Sequence, residues 1–172
     1  MKDKINCGSA CVNYILNQLK LPIKDVQNDM VWTSELAVSL KNNGINNLEV
    51  LFFNSSLYNG YKTDYKRDFI GFNLLDDLIG HNIKLSERRL TVKELEKEII
   101  NNKYIILCVE SKKFNKDKKM TGGHFIVINS LENNLVNIVN PIKEKYETKK
   151  VTKVFLINCC KHYGSWRILI RG

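Results

Sequence analysis

No run of apolar residues in this chain approaches the roughly 20 that a membrane-spanning helix needs, so a membrane protein is not expected. The first residues lack the apolar centre of a secretory signal, which points the same way. Cysteines number five, an odd count at irregular positions, which argues against a disulfide framework and for a reducing, cytoplasmic setting. There is no glycine-rich phosphate loop, no internal repeat, and no linker or low-complexity segment to divide the chain. The net charge of +9 comes mostly from scattered lysine, without the interleaved aromatics or recognition-helix pattern that nucleic-acid binding would require. Lys112, Lys113, Lys116, Lys118 and Lys119 do crowd into one stretch. It reads as a solvated loop, with attraction of an acidic partner as the sharper alternative.

What is present suits one ordinary globular domain over residues 1–172, with 44% hydrophobic and 26% charged residues. The spacing predicts a first helix from about Cys7 to Lys20 and a short one over Lys24 to Met30. A third is capped by Thr33 or Ser34 and closed by Gly44. Leu48 to Phe53 reads as a strand, Asn54 to Phe69 as turn-rich, and Phe72 to Ile79 as helical. Thr91 to Glu94 has the form of a capping box opening a helix to about Asn102. Beyond it the chain turns to β: Tyr104 to Glu110 as a strand covered on both faces, then a hairpin turning at Glu132-Asn133-Asn134. A helix capped by Thr152 and ended by Gly164, and a strand from Trp166 to Ile170, complete the series. Helices packed on a later antiparallel sheet make an α+β domain.

Two stretches carry candidate chemistry. In Asn6-Cys7-Gly8-Ser9-Ala10-Cys11 the first cysteine enters a helix at the positive end of its dipole, which favours thiolate. Gly8 leaves room for a second backbone, as a bound peptide would bring. The plainer reading makes Cys7 a small apolar core residue. In Gly122-Gly123-His124-Phe125-Ile126 two glycines clear space around an imidazole on a rigid strand. A histidine among apolar strand residues is more often a satisfied core residue. The hairpin, however, sets His124 within one or two residues of Asn140, which precedes Pro141 at the end of the ladder. A thiol, an imidazole base and an orienting amide are the parts needed for acyl transfer through a thioester. Alone, Asn140 reads as a turn-capping asparagine. Cys7, Cys11 and His124 make poor zinc spacing without a second ligand pair, so no metal and no cofactor are expected.

These residues resemble papain-like cysteine peptidases: Cys7 to Cys11, then Gly123 to Val127, then Asn140-Pro141. The order is similar to that of double-glycine leader peptidases of bacteriocin exporters. A closer similarity is to the guanylyl cyclase domain-containing protein family, at Asn6 to Leu16, Trp32 to Leu36, Gly60 to Tyr65, Gly123 to Ile128, Asn140-Pro141 and Tyr163-Gly164. The resemblance implies a papain-like fold, with Cys7 as nucleophile, His124 as base and Asn140 as orienter. It implies a peptide or protein substrate, with Gly8, Gly122 and Gly123 beside it. The family carries an oxyanion-donating glutamine six residues before the cysteine; here that position is Met1, whose thioether donates nothing. The Cys7 backbone amide is then the first oxyanion donor, with Asn6 or Gln18 as candidates for a second. Three functions compete: a cysteine peptidase or thiol acyl-transfer enzyme, a non-catalytic module on the same frame, and a guanylyl cyclase. The last would rest on Asp76-Asp77, the only adjacent carboxylate pair.

Overall fold

A computed structural model describes residues 6–24, 26–53, 76–142, 145–160 and 165–172. Helix α1 (Cys7–Gln18) and α2 (Thr33–Asn42) come first, followed by strand β1 (Leu48–Phe52). A helical stretch at 76–80 leads into β2 (Lys84–Glu87) and α3 (Val92–Asn101). Then come β3 (Tyr104–Glu110), the single-turn α4 (Ser111–Phe114), β4 (Gly123–Glu132), β5 (Leu135–Ile142) and β6 (Lys145–Thr152). Helix α5 (Lys153–Cys160) and β7 (Arg167–Ile170) close the chain. The expected turn-rich segment 54–69, the first half of the expected helix at 72–79, and Met1, Gly60 to Lys62, Tyr163 and Gly164 lie outside the described residues.

Among the described residues seven strands share one sheet in the order β2-β1-β7-β3-β4-β5-β6. The architecture is mixed α and β on a mostly antiparallel sheet. Two features depart from a simple helices-then-sheet reading. Strands β1 and β2 lie among the early helices and pair in parallel, and the last strand, β7, inserts between β1 and β3. The expected helix over Lys24 to Met30 is absent from its described residues. Their backbone is tied to α1 instead: Ser9 Oγ donates to the Gln27 carbonyl, Met30 N donates to Ser9 Oγ, and Asn6 N donates to the Asn28 carbonyl. Bonds that a helix would have closed internally are spent on holding a neighbouring segment.

Alternation along the strands sends residues to two apolar layers. Ile106, Cys108, Phe125 and Val127 pack with α1 and α2 on one face. Ile105, Leu107, Val109, Ile126 and Ile128 pack with α3 and α5 on the other. Strand β3 is thus covered on both faces, as its unbroken apolar run predicts. Within the second layer, Arg167 is fully buried and grips Glu98 with two bonds, Nε to Oε2 at 2.7 Å and Nη2 to Oε1 at 2.6 Å. The same guanidinium donates to the carbonyls of Ser165 and Arg88, so its charge is enclosed but fully engaged. Cys159 and Cys160, adjacent on α5, are both buried. Among the described residues no helix is long and apolar enough to cross a membrane.

Candidate active site

Helix α1 presents Cys7 because Asn6 caps it: its Oδ1 accepts from Ser9 N at 3.0 Å, fixing Cys7 as the first helical residue. Gly8 is buried, and a Cβ there would collide with the Met30 carbonyl, so the glycine admits the chain's own backbone. The second backbone expected beside Gly8 is thus supplied by the chain itself at Met30. The far side of α1 is clamped by β6, where Tyr146 Oη donates to the Ala10 carbonyl at 3.1 Å. Gln18 ends the same helix roughly 16 Å from Cys7 at 1.5 Å per residue, too far to serve the site.

The hairpin supplies the other half. Asn133 and Asn134 both have positive φ (50° and 65°), a two-residue turn that sets Glu132 opposite Leu135, and a bulge between Ile128 and Ser130 then shifts the register by one residue. Val127 faces Val139 and Ile128 faces Ile138. Continued toward the open end, that register puts His124 and Asn140 on one face, two residues apart on the diagonal. His124 Nε2 lies 2.6 Å from Asn140 Oδ1, with the asparagine fully buried and the histidine 9% exposed. A residue not anticipated from the sequence completes the pair. Asn115, just after α4, accepts from Asn140 Nδ2 at 3.2 Å. This second bond turns the amide so that its oxygen faces the ring, which places the imidazole proton on Nε2 and leaves Nδ1 as the basic nitrogen.

Cys7 meets this pair at the edge of β4. Phe125 N, one residue past His124, donates to Cys7 Sγ at 3.5 Å. Strand amides project within the plane of the sheet, so the sulfur is met at the strand's edge and not across the core. Cys7 itself is partly exposed and packs against the α1 layer, whereas the His124 ring sits 6.2 Å from Phe114 in the other layer. No hydrogen bond joins sulfur and imidazole. Burial raises the Cys7 thiol above its ordinary pKa, against the lowering pull of the amides of Phe125, Gly8 and Cys7 itself. Burial likewise lowers His124; the bond to Asn140 pulls the other way, and Lys149 adds to the lowering. Both shifts favour the neutral forms, against the thiolate expected from the helix dipole. Cys11 and Cys108 are deeper, the latter pushed up to about 12 by burial.

Around these three residues, Ser111 N donates to the Gly122 carbonyl at 3.1 Å and closes the lysine-rich loop. Gly122 adopts a left-handed φ of +81° with open space around it, and Gly123 is exposed at the start of β4. Lys112 and Lys113 of that loop pair with Glu110 at 3.5 and 2.6 Å, so two of its five cations are engaged within the chain. Among the described residues no group of three or more His, Cys, Asp and Glu side chains is placed to hold a metal ion. Asp76 and Asp77 are both exposed on the helical stretch 76–80. Compared with known families and with curated proteins, the chain matches no family model and no curated relative.

Proposed function

We propose that this chain is a thiol acyl-transfer enzyme on a papain-like frame, in its simplest form a cysteine peptidase. The observation that carries the reading is the buried His124–Asn140 pair at 2.6 Å, one residue from the amide that holds the Cys7 sulfur. Support comes also from the arrangement around it, a cysteine opening a helix that packs on the sheet bearing histidine and asparagine.

Chemically, Nδ1 of His124 takes the thiol proton as sulfur attacks a peptide carbonyl carbon. The carbonyl oxygen gains the negative charge, and the Cys7 backbone N–H at the helix start donates to it. Asn6 Oδ1 is committed to the cap, leaving its Nδ2 as the second donor. Collapse of this intermediate breaks the C–N bond, with His124 returning the proton to the departing amine. Water then attacks the thioester with the same imidazole as base, releasing the acid and restoring the thiol. Asn140 holds the ring in the tautomer that makes both steps possible.

One observation favours a second reading, a binding module that keeps the frame without the chemistry: no hydrogen bond joins the sulfur to the imidazole, and the two pack in different layers. Alkylation by iodoacetamide with peptide mapping separates the two. In an enzyme, Cys7 labels much faster than Cys11 or Cys108, and His124→Ala slows it. In a binding module the His124→Ala protein labels at the wild-type rate.

A further inference from the structure

A groove of about 390 Å³ opens between α4, β6 and α5, on the imidazole face of the sheet. Phe114, Val151 and Phe155 give it an apolar floor, and Asn115, Lys116, Lys149 and Thr152 supply its polar groups. Lys116 has no ion-pair partner among the described residues. Lys149 Nζ meets Glu147 at 2.9 Å in a partly exposed pair of the kind that contributes little and yields readily to a competing anion. The volume lies at the small end of ligand sites, enough for one ring or branched chain with a compact polar group.

We propose that this groove binds a small amphipathic anion, an aromatic or branched apolar group carrying a carboxylate, as the last residue of a peptide presents. The apolar floor receives the side chain, and Lys116 and Lys149 receive the carboxylate, outweighing the single carboxylate of Glu147. Asn115 connects the groove to the candidate active site, because the side chain that lines it also accepts from Asn140 Nδ2 at 3.2 Å. The assignment stands on these residues whether or not Cys7 performs chemistry.

The test titrates the full chain with N-acetyl-phenylalanine and with N-acetyl-phenylalaninamide by calorimetry, and maps the site by amide NMR. The carboxylate is expected to saturate one site, shifting Asn115, Lys149 and Val151, while the amide binds at least about tenfold more weakly. Lys116→Glu, a change at an exposed position, weakens the carboxylate by a similar factor, and Cys7→Ala leaves binding unchanged. Absence of saturable binding, equal binding of acid and amide, or indifference to Lys116→Glu would each overturn the proposal.

Discussion

His124 and Asn140 stand 16 residues apart in the chain, yet a 2.6 Å bond joins their side chains inside the protein. The asparagine is itself held from behind by Asn115, so the imidazole orientation depends on a residue of the lysine-rich loop. Asn115→Asp keeps an oxygen to accept from Asn140 Nδ2, whereas Asn115→Leu removes it. We expect Asn115→Leu to lose about 1–3 kcal/mol of stability through the unpaired buried amide, with Asn115→Asp closer to wild type. Imidazole ¹⁵N spectra should show the Nε2–H tautomer of His124 in wild type and Asn115→Asp, and a mixture in Asn115→Leu.

The two titrating groups at the site are displaced in opposite directions, and the signs set a pH profile. Burial lowers His124 below its ordinary 6.5, so its basic form is lost only as pH falls through that depressed value. Burial raises Cys7 above its ordinary 9.0, so free thiolate accumulates only at pH above it. Imidazole-assisted alkylation of Cys7 should therefore hold a plateau around neutrality, fall on the acid side below 6.5, and climb again in alkali. His124→Ala should abolish the neutral plateau and keep only the alkaline rise. Rates measured from pH 5 to 10 check both limbs.

Gly8→Ala tests the packing that sets the nucleophile in place. Its Cβ would press on the Met30 carbonyl, a backbone atom held by the same segment that bonds Ser9 and Asn6. The expected cost is about 1–3 kcal/mol of folding stability by urea denaturation. Slower Cys7 labelling should accompany it, because the first turn of α1 must shift.

The Glu98–Arg167 pair predicts an asymmetry. Glu98→Ala alone leaves an enclosed guanidinium without its counter-charge, and about 3–5 kcal/mol should be lost. Replacing both, Glu98→Leu with Arg167→Met, should cost far less, since neither charge then remains buried. Denaturant midpoints of the three proteins decide it.

Much of this site was legible because it lies on local signals. Thr91 accepts from Glu94 N as its capping box predicts, and Thr152 accepts from Phe155 N at the head of α5. Two asparagines able to take positive φ marked the hairpin, but the one-residue shift between Ile128 and Ser130 that brings Asn140 onto the face of His124 has no local signal. What could not be read is non-local or sparsely patterned. Strand β6 is a charged edge strand with little apolar alternation, and β2 is four residues of the same kind. The central place of β7 follows from pairing with β1 and β3, which no local pattern encodes. Asn115 gave no signal among the lysines of its loop. The thiolate expectation failed because the helix end acts on Cys7 in competition with burial, and burial is set by the tertiary fold.

The most direct trial of the account is acetylation by p-nitrophenyl acetate, followed by stopped flow and by peptide mapping of the quenched protein. A single transient acetyl group is expected on Cys7, formed and released in wild type at a rate lowered about hundredfold or more in His124→Ala. An unmodified Cys7, or one acetylated equally fast without the imidazole, would contradict it.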